Sequence, residues 1–214
     1  MRKLPLLLSL LFFSFSTFIF PKESDNNIQK DEEGLLKVCE AISANKITKG
    51  DFRQLKFILK LRREMVSSGI FIISANDGIL WNTQKPYRST MAMTKKSIIQ
   101  TNSKGKKTVL SAESNATFEQ FASVLSAVFN GNSESLTKNF DIEFIGDASN
   151  WNINLVPKNS SVRRIIEEID MAGHNEIDVM TIHESNGDYI RYEFQTHIHP
   201  SSLSDEEKSF FSEK

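Results

Sequence analysis

The residues best suited to chemistry lie late in the chain. His197-x-His199 would place two imidazoles on one face of a strand, which is half of a metal site. The nearest further ligands are His183 and Glu184, and neither completes a set at useful spacing. The pair stands beside Pro200 near the chain end, where a surface loop is the plainer reading. Ser, Asp and Glu residues form no nucleophile elbow or triad. No catalytic residue, metal ligand or cofactor is therefore assigned. Cys39 is the single cysteine and cannot form an internal disulfide; with Leu35 and Ile42 it falls on the apolar face of an expected helix, as a small buried hydrophobe. Lys95, Lys96, Lys104, Lys106 and Lys107 cluster in adjacent turns. They are either solvated turn residues or a basic rim for anionic headgroups or an acidic partner.

The stronger signals are apolar. Sixteen of the 214 residues are Phe. Ile70–Ser74 and Ile79–Thr83 predict two strands, joined by Asn76-Asp77-Gly78, a hairpin turn that exploits the freedom of glycine at positive φ. Alternation places Phe71 and Ile73 on one face, with Ile79 and Trp81 on one face of the partner. Ile70 and Ile72 lie on the other face of the first strand, so something apolar covers part of both faces. Pro86 ends the second strand.

These elements sit in one domain, residues 21–214, behind a leader at 1–20. Arg2 and Lys3, then apolar Leu4–Phe20, then polar Lys22–Gln29 have the layout of a Sec signal peptide or, if uncleaved, an N-terminal anchor. The favoured reading is cleavage and export to the periplasm. Loss of the leader moves the formal charge from −1 to −3, because two cations leave and no acid does. A mildly acidic domain argues against nucleic-acid binding.

In chain order, Glu32–Ala44 predicts a helix with Leu35, Leu36, Cys39 and Ile42 on one face. Strands are expected at Thr48–Ile58, in the central hairpin, and at Arg88–Thr94, Ser97–Asn102 and Thr108–Ala112. Asn115–Asn130 predicts an amphipathic helix that Gly131 ends in the left-handed conformation. Phe140–Ile145 and Trp151–Pro157 alternate as strands, and Ser161–Met171 predicts a second short helix. Ile177–Ile182 and Tyr189–Ile198 flank the turn Asn186-Gly187, and Ser204 caps a last helix. The fold class is mainly β with short helices (α+β). A meander this long with one apolar face must curl, and its helices are too few to cover it flat.

Several of these stretches resemble the LolA-type periplasmic lipoprotein carriers, especially their divergent branch. The carrying residues are Gly50-Asp51-Phe52-Arg53-Gln54, Ser68-Gly69-Ile70-Phe71, Gly78-Ile79-Leu80-Trp81 with Pro86, Phe129-Asn130-Gly131 followed by Phe140, and Trp151-x-Ile153-x-Leu155-x-Pro157. The resemblance implies an incomplete, strongly curved antiparallel β-barrel with a helical lid over an apolar cavity. It implies a monomeric, non-enzymatic carrier of the acyl chains of lipoproteins or other lipids, with an inner-membrane donor complex and an outer-membrane acceptor. Where the family often has Arg-Pro before the Trp strand, with the Arg as lid latch, this chain has Ala75-Asn76.

Shielding a chain of about sixteen carbons takes on the order of 12 kcal/mol of burial, at about 0.8 kcal/mol per methylene. Apolar and adaptable side chains suit that work. The expected cavity lining is Phe52, Phe71, Ile73, Ile79, Trp81, Met91 and Met93. The expected lid is Phe118, Phe121 and Leu125 with Ile165, Ile166 and Ile169. The plainer alternative for every one of these is packed core. The remaining functional alternatives are a periplasmic enzyme or metal protein using the late histidines, and a structural β protein with a filled core.

Overall fold

The computed structural model describes residues 25–111, 128–129 and 131–213. The leader and the expected lid positions Phe118, Phe121 and Leu125 lie outside the described residues. Helix α1 spans Asp25–Ala44, and six strands follow: β1 (Ile47–Ile58), β2 (Arg63–Ser74), β3 (Gly78–Lys85), β4 (Ser89–Met93), β5 (Ser97–Thr101) and β6 (Lys107–Ser111). Helix α2 (Ser133–Asn139) leads into β7 (Phe140–Asp147) and β8 (Asn150–Pro157). The single turn α3 (Ser160–Arg163), strands β9 (Ile166–Gly173), β10 (Ile177–Glu184) and β11 (Tyr189–Ile198), and helix α4 (Asp205–Ser209) complete the chain.

The described strands form one antiparallel sheet of eleven, in the order β6-β5-β4-β3-β2-β1-β11-β10-β9-β8-β7. It is curved and unclosed, since β6 and β7 end it without pairing to each other. The sheet is two meanders joined by the pairing of β1 with β11.

Both faces of the central hairpin are covered, by different elements. The concave face packs against Leu35, Val38 and Cys39 of α1, Val128 and Phe129 in helical conformation, and Leu136 of α2. The convex face carries Ile72, Leu80, Ala92 and Ile99, which meet Leu203, Phe210 and Phe211 of the C-terminal segment. This accounts for the second apolar face of β2. Ser204 caps α4 with a full capping box: its hydroxyl accepts the Glu207 N–H, and the Glu207 carboxylate accepts the Ser204 N–H. Lys49 of β1 donates to Glu207 and fastens α4 to the sheet.

Two expectations need correction here. Residues 166–173 form a strand, not the end of a helix over Ser161–Met171. Ile166 and Ile169 are both buried although three residues apart. The spacing comes from a register shift: Glu168 faces His183 while Ile166 faces Glu184, so one extra residue is accommodated in β9. An i, i+3 spacing inside a bulged strand looks like helical periodicity. In α1, Leu36 is exposed and Val38 takes the buried position instead.

Candidate functional site

The register brings the expected lining residues together. Phe71, Trp81 and Met91 stand opposite one another across β2, β3 and β4, and Ile73, Ile79 and Met93 form the next row. Phe52 lies opposite Gly69 on one side and Phe194 on the other. All seven belong to the concave apolar cluster, with Ile73 and Met91 only partly buried. The expected lid residues Ile165, Ile166 and Ile169 are not on a covering helix. Ile166 and Ile169 point from β9 into the same core, and Ile165 is exposed at the strand entrance.

Three contributors were missed. Tyr192 and Phe194 of β11 stack at 5.8 Å with planes 7° apart, and Phe194 meets Phe71 edge-on at 4.9 Å. Their signal was present in the alternation Ile190, Tyr192, Phe194. Phe129 closes the cluster, with its ring 5.8 Å from Trp81, and Trp81 lies 5.8 Å from Tyr192. Gly131 follows with φ 56°, and a Cβ there would lie 2.4 Å from the Cys39 carbonyl oxygen. Glycine thus lets this segment turn left-handed directly against α1. Gly34 plays a similar part, because a Cβ there would lie 2.4 Å from the Phe144 ring.

The site is dry, and its polar groups are few. Burial pushes the Cys39 thiol up to about 11, so it stays protonated. Burial likewise pushes the Tyr192 phenol well above its ordinary range. The Trp81 indole is 5% exposed, and its Nε1–H has no hydrogen-bond partner among the described residues. A buried donor left unpaired costs about 1–3 kcal/mol.

Under this cover, the void between Ile42, Phe71, Ile73, Phe129 and Phe194 is about 10 Å³, room for one water at most. A larger cleft of about 640 Å³ opens between α1 and β7, lined by Leu35, Phe140, Ile142 and Phe144 with Glu32, Glu143 and Lys158 at its polar margin. Its size is that of a ligand cleft.

His197 and His199 face different partners. His197 lies on the concave side, its ring 5.7 Å from Phe71. His199 pairs with Thr48 Oγ1 at 3.2 Å and Glu176 Oε1 at 3.0 Å. The group with metal-ligand spacing among the described residues is Glu168, Asp170 and His183, whose ligand atoms lie within 4.8 Å of one another. Glu168 and Asp170 line an outer groove of about 540 Å³, where Asn154 donates to both carboxylates. The expected lysine cluster also divides. Lys95 and Lys96 lie in the β4–β5 turn, and Lys104 and Lys106 in the β5–β6 turn at the opposite end of the sheet.

Residues 43–210 match the model of the family "Outer membrane lipoprotein carrier protein LolA". The chain belongs to this family. No curated protein matches the sequence. Solved structures similar to the fold include a DUF1329 family protein from Desulfovibrio piger, with 9% identity, TM-score 0.48, 87% of this chain and 97% of that one. A LolA superfamily protein from Nitrosomonas europaea has 9% identity and TM-score 0.46, with 82% and 96% covered. The Mycobacterium tuberculosis lipoprotein LppX has 11% identity and TM-score 0.40, with 85% and 100% covered. Among the described residues no helix is long and apolar enough to cross a membrane.

Proposed function

We propose that this protein is a periplasmic carrier that shields acyl chains of lipoproteins or related lipids on the concave face of its sheet. Residues 1–20 act as the export signal, and 21–214 as a single monomeric carrier domain that takes cargo from a donor at the inner membrane and passes it toward the outer membrane. The observation that carries the reading is the concave wall itself. It is aromatic and Met-containing, closed by helices rather than by strands, and holds an indole N–H that the described residues leave unpaired.

The described arrangement is then the closed state. A long acyl chain exceeds the void between Ile42, Phe71, Ile73, Phe129 and Phe194, and cargo enters from the α1–β7 cleft as the helical elements move off the wall. Their displacement exposes apolar area that the cargo covers again, which keeps binding reversible. No step of this work requires a catalytic group.

The test is organic extraction of the purified protein with mass spectrometry, then titration of the stripped protein with a fluorescent fatty acid. The expected outcome is co-purifying acyl lipid and saturable uptake of the probe. A stripped, folded protein that takes up no probe at saturating concentration overturns the reading. Stoichiometric metal without lipid would favour a metal-binding role through Glu168, Asp170 and His183.

A further inference from the structure

We propose that one end of the sheet docks onto an anionic membrane surface, independently of what the concave face holds. The register puts the β1–β2, β3–β4, β5–β6, β8–β9 and β10–β11 connections at this end. The segments 59–62, 86–88, 102–106, 158–165 and 185–188 together carry eight Lys or Arg and one acid, Asp188. The connections of the opposite end, 45–46, 75–77, 94–96, 148–149 and 174–176, carry three Lys and two acids. The asymmetry is therefore a property of one end and not of a chain whose net charge is −1.

Apolar side chains stand out among these cations. The β1–β2 connection, Leu59-Lys60-Leu61-Arg62, is a single 3₁₀ turn closed by the Arg62 N–H on the Leu59 carbonyl. Leu59 is 50% exposed and Leu61 63% exposed. Tyr87 in the β3–β4 connection is 76% exposed beside Arg88, and exposed Ile165 follows Arg163 and Arg164.

The turn is braced from below. The Leu59 N–H donates to Asp188 Oδ1 at 2.9 Å, its side chain lies over Gly187, and Phe57 stacks on Tyr189 at 5.2 Å. The tip is thus held rigid while its leucines face water. The nearby acids are largely engaged: Asp188 accepts this backbone bond, Glu184 faces Lys56 at 3.6 Å, and Asp141 faces Lys158 at 3.8 Å. Glu64 and Glu167, at the starts of β2 and β9, are further exposed acids of this end.

Exposed leucines flanked by Lys and Arg are the chemistry of interfacial binding: the cations meet anionic headgroups, and the apolar tips enter the acyl boundary. An acidic protein would match the cations but would gain little from two separate leucines on a turn. A bilayer uses both.

The experiment places a nitrobenzoxadiazole fluorophore at Leu61→Cys, and separately at Lys96→Cys on the opposite end, in a full-length Cys39→Ala chain. Phosphatidylcholine vesicles with and without phosphatidylglycerol are added. Emission at position 61 is expected to shift to the blue with phosphatidylglycerol only, to revert in high salt, and to stay unchanged at position 96. Lys60→Glu with Arg63→Glu should weaken the response about tenfold or more. The proposal is overturned by no shift at 61, or by equal shifts at 61 and 96, which would assign binding to the shared leader. It is also overturned by an equal response to polyglutamate, which would assign the surface to an acidic chain.

Discussion

The two tryptophans mark two walls of one sheet that are finished differently. Trp151, on β8, is 1% exposed, and its Nε1–H donates to the His174 carbonyl at 2.7 Å. Trp81, on β3, is almost as deeply buried, yet its donor has no partner among the described residues. Around Trp151 the register places Gly146 and Gly173 directly opposite, with Ile153 next on the same face of β8. Around Trp81 the neighbours are aromatic rings, Met91 and Met93, under helices. The first wall is a completed core. The second leaves its indole N–H without a partner among the described residues, under a cover that is not part of the sheet.

Alanine at each position should break the symmetry most visibly. Trp151→Ala should cost about 4–5 kcal/mol in urea denaturation and Trp81→Ala about 3 kcal/mol, because the second breaks no hydrogen bond among the described residues. Equal losses would show that the walls do not differ. Phenylalanine sharpens the contrast by keeping an aromatic ring. Trp151→Phe should lose about 1–2 kcal/mol, while Trp81→Phe stays within about 1 kcal/mol of the native chain and changes acyl affinity more. An unchanged affinity alongside a larger stability loss at Trp81 would make it an ordinary core residue.

The smallest effect concerns the convex cover. Burial pushes the Glu207 carboxyl up, but the hydrogen bonds from Lys49 and Ser204 outweigh it and hold the group below its ordinary 4.5. A depressed carboxylate stabilises the fold above its unfolded value, and the contribution is lost as pH falls through the folded value. Glu207→Gln should therefore cost about 0.5–1 kcal/mol near neutral pH, and the difference from the native chain should shrink as pH falls below about 4.5. Acyl binding should be unaffected, since Glu207 serves the other face. A difference that persists at pH 3 would place the effect elsewhere.

Much of this was legible in the sequence, for local reasons. Asp77-Gly78 and Asn186-Gly187 named their hairpins, Gly131 its positive φ, and Ser204 its capping box. Alternation in β2, β3, β7 and β8 put the correct side chains inward. Apart from the face of α1, where Val38 and not Leu36 is buried, the failures are non-local. The bulge in β9 made a strand resemble a helix, because its register is set by β10. Ile72 and Leu80 announced a cover, but nothing in their own stretch pointed to Leu203 and Phe210. Lys96 and Lys104 are near in sequence and lie at opposite ends, since a whole strand runs between them.

The pairing of β1 with β11 also bears on how the chain folds. Arg53 and Glu193, partners in that ladder, are 140 positions apart. Each meander closes by short loops and can form early, but the seam between them waits for a very long loop to close. Synthesis delivers the β1 side of this seam about 140 residues before its partner. A nascent or truncated chain that stops before Tyr189 holds two ribbons with exposed edges at β1 and β10, the state most open to aggregation and to chaperone capture.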